Sequence, residues 1–301
     1  MSNEFSTLEK IYGKKVINNE KLSKHSWFNL GGPAEIFFRP DNTNDLSSFL
    51  KQFKKYKKKI NIVGAGSNIL FRDGGVKDIT IKLSSKFSYV ELMGNNIIKA
   101  GAATLDKKIS DFATENSLTG FEFLSCIPGS IGGGIIMNSG CYGDDISKIL
   151  YSVEVIDQEG NLKNIKKDEI EFFYRGCSLP ENLIILSVKL KGKKSFLDSV
   201  KKKQIELIQK KKDSQPTRVK TCGSTFKNPI NKKAWELIKE SNCAKMSVGH
   251  AKISEKHCNF FVNEGKATSF EIEELIKQVK KKVLEKTGIN LELEIKIIGS
   301  N

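Results

Sequence analysis

Arginine is nearly missing from this chain: of 50 basic residues, four are arginine, Arg39, Arg72, Arg175 and Arg218. Base-edge reading of nucleic acid relies on the planar, bidentate guanidinium, and no RNP, helix-turn-helix or finger pattern occurs. The net charge of +15 therefore argues for lysine-coated surfaces, such as KQFKKYKKK and KKKQIELIQKKK, rather than for sequence-specific nucleic-acid binding. A polyanionic small ligand or weak, non-specific nucleic-acid affinity stays open. Histidine is also scarce. His25, His250 and His257 have no ligand spacing and the six cysteines no CxxC pair, so no metal site and no disulfide framework is expected. Cys126, Cys141, Cys177, Cys222, Cys243 and Cys258 read as reduced and mostly buried. No GxSxG elbow is present for a hydrolase. Apolar runs stop at pieces such as GIIM and LIIL, and MSNEFSTLEKIYGKK is polar where a signal peptide is apolar. A cytoplasmic protein with no membrane partner is expected.

What is there is an α+β pattern in a chain of 301 residues, enough for two or three compact units. Leu46, Phe49, Leu50 and Phe53 recur at helical spacing within 43–58. Short strands are expected at 60–63, 79–83, 88–93 and 97–100, the last two joined by a hairpin at Gly94-Asn95-Asn96. A helix from Thr104 would bury Leu105, Ile109 and Phe112, after which PGSIGGGIIMNSG interrupts regular structure. Strands return at 150–157 and 183–190. A lysine-rich helix over 194–212 leads into a second region, with a helix near 232–240. There Thr268 and Glu271 form a capping box, Gly288 ends the helix that follows, and LELEIKII alternates as a final strand.

Two glycine-rich segments, GAGSN (64–68) and PGSIGGG (128–134), fit neither the dinucleotide fingerprint nor the P-loop. Each is a tight turn or a place where successive backbone amides cradle a diphosphate. Arg175, in FYRGCS, is either stacked on Tyr174 at a surface or kept for planar, permanent charge. Ser224, in TCGSTFKNP, reads from this stretch alone as a turn residue. His257 is a structural histidine or a ligand contact, and the alternation makes Glu294 an exposed strand residue.

In order, HSWFNLGGPAE (25–35), GAGSNILFRDGG (64–75), FLSCIPGSIGGGIIMNSGCYG (123–143), FYRGC (173–177), CGSTFKNP (222–229), KISEKHCNFFVN (252–263) and LELEIKIIG (291–299) closely resemble the UDP-N-acetylenolpyruvoylglucosamine reductase family. These are FAD enzymes that complete UDP-N-acetylmuramate for peptidoglycan. The resemblance spans nearly the whole chain. It implies an FAD-binding region of the vanillyl-alcohol-oxidase (PCMH) type made of two α+β subdomains, 1–83 and 84–200. A substrate domain would follow at 201–301, with the last strand returning to the first subdomain. It implies non-covalent FAD, NADPH as hydride donor, a UDP-sugar substrate and a monomer.

The same resemblance gives the residues their roles. Gly64, Ala65, Gly66, Ser67 and Asn68, with Pro128, Gly129, Ser130, Gly132 and Gly133, would hold the cofactor. Ser224 matches the proton donor, and Arg175 and Glu294 the residues that polarise substrate. Lys227, Asn228, His257 and Asn259 fall among substrate contacts. Two features depart from the commonest pattern. Cys177 stands where the family usually has serine, and no tyrosine lies between Gly176 and Gly223, which implies the shorter type without a tyrosine-bearing loop. The alternatives are another FAD oxidase of the same fold or a basic nucleic-acid-binding protein.

Overall fold

The computed structural model describes residues 3–56 and 58–301. The chain forms two compact units that interleave along the sequence. The first takes residues up to 18, then 36–65 and 78–211; the second takes 19–35, 66–77 and 212–301. Strands β1 (Val16–Lys21), β2 (Pro33–Phe38), β3 (Ile60–Ile62) and β5 (Val76–Ile81) form a sheet in the order β1-β2-β5-β3, while β4 (Ile69–Phe71) lies outside it. Helix α2 (Thr43–Phe53), which follows α1 (Asn3–Tyr12), starts where the Asn42 side chain accepts the Asp45 N–H. It buries Leu46, Phe49, Leu50 and Phe53, the stripe its spacing predicts. Phe49 stacks on Phe38 with ring centroids 3.9 Å apart. A 3-10 turn, Lys54–Tyr56, then ends the helical run short of 58.

The first unit also holds a five-stranded antiparallel sheet. Its order is Leu162–Lys166, Leu150–Ile156, Ile184–Lys191, β7 (Ile97–Gly101) and β6 (Val90–Leu92). The β6–β7 hairpin turns as expected, with Gly94, Asn95 and Asn96 all at positive φ. One face buries Ile98, Ala100, Val153, Val155, Val188 and Leu190 with Ile109 and Ala113 of α3 (Asp106–Glu115). Each buried valine, isoleucine or leucine among them contributes roughly 1.5–3 kcal/mol. Two expectations fail here. Leu105 is 52% exposed and precedes α3. IGGGII does not interrupt regular structure: Ile131–Ile136 is helix α4, with Ile131 and Ile135 in the same core. Close packing overrides glycine's poor propensity. A Cβ on Gly132 would lie 2.9 Å from the Ala102 Cβ, and one on Gly134 2.7 Å from Ile146.

Helices α5 (Leu197–Ser214), α6 (Ala234–Glu240) and α7 (Ser269–Thr287) complete the α-helices among the described residues. In the second unit α7 buries Ile272, Leu275, Val279 and Val283 against Phe28, Leu70, Phe226 and Phe261. Its capping box at Thr268 and Glu271 is formed, and Gly288 closes it at φ 70°. LELEIKII is not one strand. Only Lys296–Ile298 pairs, parallel to β4, while Leu293 bridges Phe226. The chain changes partner at Glu294 and Ile295, whose N–H groups both point at the Thr225 carbonyl, at 2.9 and 3.5 Å. One carbonyl facing two successive N–H groups makes a local bulge, and a bulge re-aims a side chain. No helix among the described residues is long and apolar enough to cross a membrane.

Candidate active site

In the first unit the two glycine segments meet. Val63 still pairs with Ile81, and the next residue, Gly64, faces Ser130: a Cβ there would lie 2.5 Å from the Ser130 hydroxyl. Ser130 is 4% exposed and sits in extended backbone at the start of α4. The preceding loop is tied down where Asp106 N–H donates to the Gly129 carbonyl at 3.0 Å, and Pro128 and Gly129 are half-buried. Gly133 is the exposed member of the glycine trio, and a Cβ there meets only Ser130 Oγ, at 3.9 Å. Gly132 and Gly134 serve close packing, whereas Gly133 leaves open space. Behind this backbone Asp106 is fully buried, with no hydrogen-bond partner for either oxygen among the described residues. Burial pushes its pKa up to about 8, so near neutrality it is mainly uncharged and does not repel an anion. Backbone bare of side chains, a buried hydroxyl and a neutral carboxyl fit the diphosphate of an FAD.

The rest of GAGSN belongs to the second unit. Gly66, at φ 74°, allows close approach, since a Cβ there would fall 1.8 Å from the His25 carbonyl oxygen. Its own carbonyl accepts the Trp27 N–H at 3.0 Å and the Cys222 thiol at 3.6 Å. Ser67 is half-buried, like Ala65 in the first unit. Asn68 reaches the carboxyl-terminal segment, its amide donating to the Glu294 carbonyl at 3.0 Å and its carbonyl accepting the Lys296 N–H at 2.9 Å. HSWF, GAGSN, CGSTF and LELEIKII are thus one hydrogen-bonded assembly.

Arg175 lies in the first unit, in the two-residue turn between the paired strands Phe172–Phe173 and Gly176–Cys177. Its φ of 60° is uncommon for a side chain of this size. It is half-buried, with its guanidinium 5.0 Å from the centre of the Tyr174 ring. A Cβ on Gly176 would lie 2.1 Å from the Phe173 ring, so a side chain there would have to displace that exposed ring. The Asn138 amide donates to the Phe173 carbonyl at 3.3 Å, fixing the hairpin to the end of α4. Cys177 has its sulfur 3.8 Å from the Ile136 carbonyl, in the direction of a weak S–H donation, and burial raises its pKa.

The second unit brings Ser224, Asn259 and Glu294 together around one stretch of backbone. Ser224 follows Gly223, at φ 78°, and bridges Phe260, while Thr225 donates to the Asn259 carbonyl at 2.8 Å. Thr225 in turn receives the Glu294 N–H. Ser224 and Glu294 are both half-buried, so Glu294 is not the exposed residue that alternation predicts. Asn259 departs from the ligand-contact expectation. It is 3% exposed, with its amide nitrogen donating to the Phe226 carbonyl at 2.8 Å and its amide oxygen accepting the Phe226 N–H at 3.0 Å. It holds the serine segment in place. His257 is half-buried, and burial lowers its pKa. Its Nδ1 accepts the Asn259 N–H at 3.3 Å, which leaves the proton on Nε2. Lys227 pairs with Glu292 at 3.5 Å, and the Asn228 side chain accepts the Ala234 N–H at 3.0 Å, capping α6. No cluster of three or more metal-ligating side chains occurs among the described residues.

The family described as UDP-N-acetylenolpyruvoylglucosamine reductase, C-terminal domain, matches residues 215–298, and that described as FAD binding domain matches 34–166. The UDP-N-acetylenolpyruvoylglucosamine reductase of Pelagibacter ubique is 47% identical over 300 residues, covering 99% of this chain and 97% of that protein. The chain belongs to the UDP-N-acetylenolpyruvoylglucosamine reductase family. The namesake of Rickettsia massiliae is 44% identical over 286 residues, covering 95% of each. The crystal structure of UDP-N-acetylenolpyruvylglucosamine reductase from Thermus caldophilus superposes with a TM-score of 0.83 at 30% identity, covering 94% of this chain and 98% of that one.

Within this reductase, FRDGG (71–75) has a structural part that no local pattern gives away. Arg72 grips the Glu273 carboxylate through two nitrogens at 2.8 and 2.9 Å. Next to it, Asp73 accepts the Ser269 and Phe270 N–H groups at the start of α7, at 3.1 and 3.2 Å, where a carboxylate also meets the favourable end of the helix dipole. About 200 positions separate these partners, so nothing short-range announces them. Asp106 was equally hidden, as the opening residue of an ordinary amphipathic helix.

Proposed function

We infer that this reductase carries out the NADPH-dependent reduction of UDP-N-acetylglucosamine enolpyruvate to UDP-N-acetylmuramate through bound FAD, in peptidoglycan precursor synthesis. A relationship running the length of the chain supports the reading. Gly64, Ala65, Gly66, Ser67 and Asn68 would hold the cofactor's diphosphate with Pro128, Gly129, Ser130, Gly132 and Gly133. Of these, Gly64 and Gly133 offer bare backbone and Ser130 a hydroxyl. Once bound and reduced by NADPH, the flavin would supply the hydride that reduces the enolpyruvyl double bond.

The chain's own groups handle charge and the proton. Ser224 Oγ delivers a proton to the carbon that does not receive hydride. A hydroxyl is a weak acid, but an enolate-like carbon is basic enough to take its proton when the two are held in line. Arg175 stabilises negative charge spreading into the substrate carboxylate, and Glu294 supplies the second polarising group. Lys227 exchanges Glu292 for a substrate oxygen, and His257, neutral with a proton on Nε2, donates a hydrogen bond. Asn228 orders the adjoining α6. The observation that carries the role of Ser224 is its fixed mounting: Asn259 clamps Phe226, two residues on, through both ends of its amide.

Ser224→Ala tests this by separating the half-reactions. NADPH is expected to bleach the variant's flavin at near the unaltered rate. Reoxidation by the enolpyruvyl substrate should slow by ~10²–10⁴-fold, the range general-acid catalysis supplies. Equal slowing of both half-reactions, or of neither, would return Ser224 to the status of a turn residue.

A further inference from the structure

The five-stranded sheet has a second face that the chemistry above does not use. An antiparallel sheet commonly leaves one face to water, and this one is polar. Lys99 of β7 lies directly across from Lys189 of strand Ile184–Lys191, and Lys189 lies across from Ser152 of strand Leu150–Ile156. The neighbouring row runs Ser187, Glu154, Asn164. Together with Leu162 and Lys163 these residues line a cleft of about 340 Å³, at the lower end of the size range of small-ligand sites. All of them belong to the first unit.

Two features set this cleft apart from an ordinary solvated face. One is the opposed pair of half-buried lysines. Like charges directly opposite each other on a sheet are destabilising, and no carboxylate separates these. The Lys99 ammonium stands 6.0 Å from the centre of the Tyr89 ring, while Lys189 makes no ion pair among the described residues. Glu91, across from Lys99 on β6, is exposed and pairs with neither. Lys163, by contrast, is neutralised by Asp157 at 3.2 Å. The other feature is Ser152, which is 2% exposed and lines the cleft with no hydrogen-bond partner for its hydroxyl among the described residues. Buried hydroxyls ordinarily have one. Ser187, equally buried, donates to Glu154 Oε2 at 2.7 Å. That bond holds the carboxylate in place and leaves Oε1 for another donor.

We propose that this cleft is a binding site for a sugar phosphate. The phosphate lies between the ammonium groups of Lys99 and Lys189, takes a hydrogen bond from Ser152, and relieves the repulsion between the lysines. A sugar hydroxyl donates to Glu154 Oε1, and the Asn164 amide meets a second one. Glu154 also gives the site its selectivity, since it repels an anion that brings it no donor. Nucleotides and free sugar phosphates share this chemistry, and Leu162, 54% exposed, offers apolar cover to a nucleotide's base. Helix α4 packs with Ile98 and Ala100, whose side chains point to the opposite face of the sheet from Lys99. The cleft therefore does not overlap the glycine segments.

The test is isothermal titration calorimetry of the flavin-loaded protein with adenosine monophosphate, ribose phosphate, adenosine and sulfate. Adenosine monophosphate or ribose phosphate should bind, with adenosine and sulfate weaker by roughly tenfold or more. Equal binding of the two phosphate esters assigns a free sugar phosphate, and tighter adenosine monophosphate a nucleotide. Lys99→Met/Lys189→Met should lose the binding. Because it removes opposed charges, it should unfold at a temperature no lower than its parent does without ligand. Glu154→Gln should bind sulfate more tightly and the phosphate esters less tightly. Undiminished binding of the esters by the double variant would overturn the proposal, as would the absence of binding at millimolar concentration or sulfate binding as tight as theirs. If the double variant does not fold, lysine acetylation of the unaltered chain decides. The bound ester should shield Lys99 and Lys189, while exposed Lys201 reacts as before; equal labelling with and without ester would overturn the site.

Discussion

Replacing Asp106 with asparagine should change how stability depends on pH more than it changes stability itself. The carboxyl is fully buried, lacks a hydrogen-bond partner among the described residues, and has its pKa pushed from 3.8 to about 8 by desolvation. The folded protein thus holds this proton more tightly than the unfolded chain does. Its contribution is present in full below the unfolded value near 4 and is lost progressively as pH rises through the folded value near 8. At ~1.4 kcal/mol per pH unit, the gap corresponds to at most ~6 kcal/mol, with water penetration bringing the effective figure lower. Asparagine keeps the shape and carries no charge. Urea unfolding of apoprotein and its Asp106→Asn variant at pH 5 and pH 9 isolates the effect, because every other titrating group is common to both. The variant should gain on the parent by a few kcal/mol between the two conditions and be the more stable at pH 9. Parallel pH profiles would refute the reasoning, as would a variant weaker than its parent at pH 9.

Gly133→Ala should leave apoprotein stability unchanged or raised by about 1 kcal/mol, since the site is helical and open, yet weaken FAD in a titration; unchanged FAD affinity would remove Gly133 from the cradle. Arg72→Met leaves Glu273 buried without its partner, so urea unfolding should show a loss of ~3–5 kcal/mol, most of it recovered in Arg72→Met/Glu273→Leu. If the double variant is as weak as the single one, the unpaired carboxylate is not the cause. Acid precipitation should release all the flavin into the supernatant, because none of the three histidines lies within 64–75 or 123–143; colour in the pellet would indicate a covalent link.

Elements built on their own side chains were legible beforehand. The stripe of α2, the Asn-rich hairpin and both ends of α7 follow from spacing, turn chemistry and capping within a few residues. What was not legible depends on distant partners. IGGGII is helical where Ala102 and Ile146 pack closely against two of its glycines, contacts that no local pattern shows. LELEIKII breaks where Thr225, some 70 positions earlier, draws in two successive N–H groups. The serine segment was recognisable as a motif, but the amide clamp from Asn259 was not, since a buried asparagine and a ligand-binding one look alike in a string of letters.

The core of the second unit has a consequence for the order in which the protein can be made. Phe28, Leu30 and Leu70 pack there with residues from Cys222 to Ile295. During synthesis these early residues leave the ribosome long before their partners exist, and must stay unengaged while more than a hundred further residues are added. Such separation slows folding, because chain closure has to precede the contacts that reward it. Residues 212–301 expressed alone would lack the apolar residues that finish their own core, so cutting at the start of the unit's longest piece would yield an aggregation-prone fragment rather than an isolated domain.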